Sequence, residues 1–262
     1  MDYEAVILER SGSIGKLKFN RPKVLNAYNR TLSDEIIRGF NEFENDDAIR
    51  VIVLTGVGKA FMAGADINMV NEWAGLGDAA KIRADLEKML NPNILEDSSK
   101  PTIAAVNGLA FGMGCEIAMA CDYRIAAESA MFGQPEVKLS IIPGAGGSQR
   151  LLRLVGATRA LEMISTGDPI DAQQAYEIGL INRVVPDARL WDEVEAFAGR
   201  LTDKSSVALD VCKRLVYTGG DMSLREGIEY ERDRFCEILL TEDAAEGTQA
   251  FLEKRRPAFK GR

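Results

Sequence analysis

The sequence predicts an α/β fold with a largely parallel sheet, and three observations carry that reading. Short β-branched runs closed by glycine recur, Val51-Ile52-Val53-Leu54-Thr55-Gly56 and Thr102-Ile103-Ala104-Ala105-Val106-Asn107-Gly108, the pattern of strands buried on both faces. Segments with apolar residues three to four positions apart stand between them. Strand, helix, strand in that order requires a parallel crossover, and such sheets bind ligands beyond the carboxyl ends of their strands. The segments after Gly56 and Gly108 are therefore the first places to search for a site.

The elements follow in order. Val6, Leu8, Ile14, Leu17 and Phe19 alternate around Gly12 and Gly15, which reads as a hairpin that Arg21-Pro22-Lys23 ends. Leu32, Ile36, Ile37 and Phe40 give an amphipathic helix from Asn29 to about Asn45, with Asn29 or Ser33 as its cap. A helical region spans Ala79 to Leu90, a small apolar helix runs from Gly112 to Cys121, and Tyr123-Arg124-Ile125-Ala126 reads as a strand. Beyond Pro186 only helices are expected, over Leu190–Leu201, Ser206–Tyr217 and Leu224–Phe251. Residues 1–195 are read as the core domain and 196–262 as a helical domain, with no fixed-period repeat.

Composition removes several function classes. The 262 residues are 46% hydrophobic and 27% charged, an ordinary globular profile. With 32 Lys+Arg against 40 Asp+Glu the net charge is -8, so the chain lacks the positive field of a nucleic-acid or anionic-membrane binder. No apolar stretch approaches the ~20 residues of a membrane span, and the acidic start carries no basic targeting pattern; a cytoplasmic location is expected. There is no histidine, which excludes His-based nucleophile pairs, general bases and metal sites and leaves acid/base work to Asp, Glu, Lys, Tyr or Cys. The four cysteines have no metal-ligand spacing and read as reduced core residues, and no metal is expected.

Three segments could carry chemistry. Phe61-Met62-Ala63-Gly64-Ala65-Asp66-Ile67 offers backbone N–H groups, because its small side chains let a ligand approach the main chain. Asn107 through Glu116 turns a strand through glycines into a helix near Met113, whose first turn suits an oxyanion. It lacks the third glycine of a dinucleotide fingerprint. Within that apolar helix Glu116 is costly unless used or paired. The third segment, Phe132-Gly133-Gln134-Pro135-Glu136-Val137, supplies a second carboxylate and leads into Pro143-Gly144-Ala145-Gly146-Gly147-Ser148-Gln149-Arg150, a glycine run without a P-loop ending. Each segment alone also has a structural explanation in tight packing or solvated charge. Together they suggest acid/base chemistry beside a stabilised oxyanion.

These segments, with Arg21-Pro22-Lys23-Val24-Leu25-Asn26-Ala27 and the tail residues Glu246-Gly247, Ala250-Phe251, Glu253-Lys254-Arg255 and Pro257-Ala258-Phe259, resemble the crotonase superfamily of enoyl-CoA hydratases and isomerases from about Arg21 to Phe259. The resemblance implies a spiral of ββα units with a C-terminal helical domain, assembled as a homotrimer or as a hexamer of two trimers. It implies an acyl-CoA thioester substrate, with CoA part of the substrate and no separate cofactor. The backbone N–H groups of Ala65 and Met113 would form the oxyanion hole, Met113 standing where many relatives have Gly. Glu116 would activate water and Glu136 would protonate C2, the two-glutamate pattern of hydratases. The implied substrate contacts are Lys23, Leu25, Ala63, Asp66, Ile67, Asn68, Gly112, Pro135 and Gly144, with Lys254 and Phe259 reaching a neighbouring subunit's ligand. Asn68 departs from a lysine common in close hydratase relatives, which puts one CoA contact in doubt.

The expected activity is hydration of the C2=C3 bond of a 2-trans-enoyl-CoA to a 3-hydroxyacyl-CoA. Three alternatives within the superfamily stand beside it: a dienoyl-CoA hydratase, a hydratase of cyclic or branched enoyl-CoA, and an enoyl-CoA isomerase, for which one carboxylate suffices. A non-catalytic or RNA-binding relative is opposed by the retained glutamates and the negative charge. Acyl length would be set between Asn68 and Leu95, with Met69, Val70, Trp73 and Leu90 as wall residues.

Overall fold

The hairpin that opens the chain is β1 (Val6–Ser11) with β2 (Ile14–Phe19), paired antiparallel in a computed structural model that describes residues 3–262. A 3-10 turn at Pro22–Val24 precedes α1 (Arg30–Glu44), and Asn29 rather than Ser33 caps this helix, accepting from the N–H of Leu32. Ser33 is instead buried, its Oγ accepting from the N–H of Leu90 at 2.8 Å.

The next three units share one plan. β3 (Val51–Gly56), β5 (Thr102–Val106) and β7 (Tyr123–Ala127) are long strands of a six-stranded sheet ordered β1-β2-β3-β5-β7-β10, where β10 is Arg183–Val185. Each is followed by a short strand of a second sheet, β4 (Ala60–Met62), β6 (Leu109–Phe111) and β8 (Met131–Gly133), completed by β9 (Ile170–Asp171). β2 to β10 run parallel in the first sheet, as do β4, β6 and β8 in the second. Glycines close β3 and β5 because the chain there crosses from sheet to sheet with no room for a side chain. A Cβ on Gly56 would lie 2.0 Å from the Ala60 carbonyl oxygen, and one on Gly108 2.1 Å from that of Lys59.

Helices fill the remaining connections: α2 (Ile67–Gly75), α3 (Ala79–Leu86) and α4 (Asn93–Asp97) after β4, and α5 (Met113–Ala120) after β6. The single helical region expected over Ala79–Leu90 is thus shorter, ending at Leu86, after which Lys88 and Met89 donate to Asp85 and Leu86 in tighter turns. After β8 come a 3-10 turn at Pro135–Leu139, α6 (Gly147–Thr166), kinked at Gly156, and α7 (Ala172–Glu177).

Four helices end the chain: α8 (Leu190–Thr202), α9 (Ser206–Gly220), α10 (Leu224–Ile238) and α11 (Glu242–Leu252). The expected continuous helix over Leu224–Phe251 is two, because Thr241 caps α11 through the N–H of Ala244. Residue 195 lies inside α8, whose Leu190, Val194 and Ala198 pack on Val51, Val53, Ile103 and Ile125 of the first sheet. The opposite face of that sheet belongs to the main core with Leu17, Phe19, Ile52 and Leu54. Cys115 and Cys121 are buried as expected, whereas Cys212 and Cys236 are exposed on α9 and α10, where the helix faces solvent. No helix of the described residues is long and apolar enough to cross a membrane.

Candidate active site

The carboxyl ends of β4 and β6 meet where the sequence places its two N–H donors. Gly64 (φ 111°) and Gly112 (φ 50°) both adopt left-handed backbone, and a Cβ on Gly112 would sit 3.7 Å from the Gly64 Cα. Glycine at both positions therefore lets the two loops touch. The flanking amides are committed. Tyr28 N–H donates to Gly64, Asp66 N–H to Tyr28 and Gly112 N–H to Gly133, at 2.8, 2.8 and 3.0 Å. Among the described residues the N–H groups of Ala65 and Met113 donate to no protein acceptor. Met113 opens α5, so the helix dipole adds to its N–H. Gly114 holds this helix hard on β4, since a Cβ there would lie 2.0 Å from the Met62 carbonyl oxygen.

Glu116 lies one turn into α5 and is 3% exposed. Its Oε1 accepts two backbone hydrogen bonds, from Ala145 and Gly147 at 2.8 Å each. The glycine run is thus a cradle for this carboxylate and not for a phosphate. Burial pushes the Glu116 carboxyl up, while those two N–H groups and the Arg150 guanidinium pull it back toward ionisation. Glu136, in the 3-10 turn, has its carboxyl pushed up to about 7, first by burial and then by the charge of Glu116. Its Oε1 lies 3.0 Å from where a Gly112 Cβ would stand, so it borders the donor loops. Burial thus raises both carboxyls, while Glu116 alone also holds two loop N–H donors that favour its ionised form, an arrangement suited to acid/base work.

The other expected site residues fall into four groups. Lys23, Leu25, Ala63 and Ile67 share one rim, where Ala63 N–H donates to Leu25 at 3.0 Å and Lys23, Leu25 and Ile67 are exposed. Asp66 caps α2, accepts from Asn68 and pairs with Arg21 at 3.5 Å, so its carboxylate has partners within the chain. Pro135 and the exposed Gly144 flank the two glutamates. Lys254 is exposed beyond α11, and Phe259 lies against Gly247 of that helix. Of the expected wall, Met69 and Leu90 are buried, and Trp73 is held by Asp85 through its Nε1 at 2.7 Å.

The Enoyl-CoA hydratase/isomerase family profile matches residues 9–262. The chain belongs to this family. Among members of the enoyl-CoA hydratase/isomerase family, a probable enoyl-CoA hydratase of Mycobacterium bovis is 44% identical over the full length of both chains. A crotonyl-CoA hydratase of Syntrophomonas wolfei is 42% identical over 99% of each. The crystal structure of an enoyl-CoA hydratase subunit from Geobacillus kaustophilus superposes with a TM-score of 0.94, at 40% identity and with 100% of both chains covered. The two-sheet architecture described above is thus the crotonase fold.

Two residues of this family member's site were quoted in motifs but given no role. Gln134 is wholly buried, and its amide nitrogen, in the orientation that satisfies both ends of the amide, donates to Glu136 at 2.9 and 3.2 Å. Its position two residues before Glu136, flanked by Gly and Pro, was the available signal. Arg150 closes the glycine run, and a charged residue in the first turn of α6 was the signal there.

Proposed function

We propose that the protein is a 2-enoyl-CoA hydratase in which Ala65 and Met113 hold the thioester oxygen, Glu116 is the base and Glu136 the acid. The observation that carries this reading is a buried carboxylate, Glu116, and a half-buried one, Glu136, beside two unpaired N–H groups. An ionised Glu116 removes a proton from water as its oxygen bonds to C3. The π electrons move to the thioester oxygen, where each backbone donor is worth about 3–4 kcal/mol. Protonated Glu136 then delivers its proton to C2 as the carbonyl re-forms. Glu116 ends protonated and Glu136 ionised, and one proton transfer resets the pair. Their titrations belong to the pair and not to either residue. No cofactor is needed in this scheme, because CoA arrives with the substrate. Lys23, Leu25, Ala63 and Ile67 form the rim nearest the donors and are assigned to the CoA moiety.

The proposal extends to assembly. Leu224, Phe235, Leu240 and Phe251 are 82%, 60%, 87% and 84% exposed on the C-terminal helices. That much apolar surface supports a homotrimer, or two trimers paired, in which Lys254 and Phe259 approach a neighbour's ligand. Four free thiols support a reducing, cytoplasmic setting.

The test is loss of the conjugated-thioester absorbance of crotonyl-CoA, with Glu116→Gln and Glu136→Gln beside the wild type. Rapid loss in the wild type and a fall of ~10²–10⁴-fold or more in each variant is the expected outcome. A folded protein that binds CoA but leaves crotonyl-CoA unchanged refutes the short-chain assignment. Sedimentation velocity tests the assembly, and a monomer at micromolar concentration refutes it.

A further inference from the structure

Arg150 stands in an unfavourable place for a cation, the first turn of α6, where the helix dipole favours anions. Its side chain is nevertheless only 11% exposed and its fork is engaged on two sides. Nε and Nη2 form a two-pronged pair with Glu96 of α4 at 2.7 and 2.8 Å, and Nη2 also donates to Asn93 at 2.6 Å. Nη1 turns back over the helix start and donates to the carbonyl of Ala145 at 2.9 Å. The fit is tight, because a Cβ on Gly146 would lie 2.0 Å from that nitrogen. Ala145 is therefore gripped at both ends, its carbonyl by Arg150 and its N–H by Glu116 Oε1. The guanidinium fixes the loop that fixes the base.

From this geometry we infer that Arg150 is a positioning residue for Glu116, acting through Ala145 and anchored from behind by Glu96 and Asn93. The inference rests on the hydratase reading above, in which Glu116 is the base. A lysine cannot replace the fork, since one ammonium cannot hold the Glu96 carboxylate in two-pronged fashion and reach the Ala145 carbonyl as well. The guanidinium charge also favours the ionised form of Glu116, which burial opposes. The other ionisable groups facing Glu116 are Glu136 of the 3-10 turn, Glu96 of α4 behind Arg150, and Tyr28 and Cys115. The last two are pushed up to about 12 by burial, so both are neutral throughout the test.

Full-length Arg150→Gln and Arg150→Lys are compared with the wild type on crotonyl-CoA across pH. In Arg150→Gln, kcat falls ~100-fold, as expected for a base displaced by about an ångström, with KM little changed. The acid limb of kcat/KM moves up by about one pH unit as the favourable charge is lost. In Arg150→Lys the limb stays near that of the wild type, while kcat still falls about tenfold because the fork is gone. An Arg150→Gln enzyme with the wild-type acid limb overturns the inference, whatever its thermal stability, since a merely structural brace would leave the limb in place. If Arg150→Gln does not fold, Arg150→Lys decides, and an unchanged kcat refutes the role. Should the wild type hydrate no enoyl-CoA, it is the hydratase reading that fails. The positioning role is then read from the ¹³C carboxyl signal of Glu116, identified by its loss in Glu116→Gln. That signal titrates at higher pH in Arg150→Gln if the inference holds, and at the wild-type pH if it does not.

Discussion

The donor loops and the C-terminal helices are built on opposite principles. Around α5 every residue from Gly112 to Cys121 is buried, and the close approaches at Gly112, Gly114 and Gly147 leave no space for a methyl group. In α9 and α10 no residue is fully buried, and in α11 only Asp243 and Ala250 are. The first region fixes its geometry from within the subunit. The second meets the core through few contacts, chiefly Lys213 of α9, which reaches Asp122 at 3.0 Å with side chains 7% and 11% exposed. The donor loops are thus fixed within one chain, while the terminal helices leave most of their apolar side chains exposed.

Removing Lys213, which holds both Asp122 and the Leu95 carbonyl, tests the contrast most severely. Lys213→Met leaves Asp122 without its countercharge and is expected to cost about 3–5 kcal/mol, read by urea unfolding. The cost shrinks as pH falls, because burial raises the Asp122 carboxyl and the stranded group can take up a proton. Hydrogen exchange should rise first in α9 and α10, while the amides of α5 keep their protection. Equal loss in both regions would mean the two are one cooperative unit.

An assault on the packed side should do the reverse. Gly114→Ala pushes α5 off the Met62 carbonyl and shifts the Met113 N–H, so kcat should fall about 10²–10³-fold. Inhibition by a thioester enolate analogue is the companion measurement, and unchanged affinity for it would remove Met113 from the oxyanion site.

A gentler probe is pH. Glu136 has a folded pKa of about 7, above the ordinary 4.5, so the folded state holds more protons between those values. Stability therefore falls as pH rises through that window and levels off above it. Glu136→Gln removes that contribution. In the hydratase reading the same deprotonation withdraws the acid, so kcat/KM should decline as pH rises past about 7. The smallest effect is expected at the exposed thiols, where Cys212→Ser and Cys236→Ser change stability by no more than ~0.5 kcal/mol.

The core and the site were legible in different degrees. β3 and β5 announced themselves because strands buried on both faces are apolar at every position, and Glu116 did because an acid in an apolar helix needs a reason. The split into two sheets was not legible, since β4, β6 and β8 are three residues each and carry no periodicity. Gln134 and Arg150 were hidden for another reason. Arg150 is anchored by Glu96 and Asn93, 54 and 57 residues away in sequence, and no local pattern encodes a contact at that distance, while Gln134 is two residues from Glu136 but its contact depends on the 3-10 turn that follows it. The break between α10 and α11 was missed because apolar residues continue across Leu239 and Leu240, and only Thr241 marks the stop.

Both backbone donors to Glu116 converge on one oxygen, Oε1. The two oxygens of this carboxyl group are consequently not equivalent. One is an anchor, and only the other has a lone pair to offer. A carboxylate tethered in this way presents its second oxygen from one fixed direction, so in the hydratase proposed above the water it activates is oriented by two main-chain hydrogen bonds.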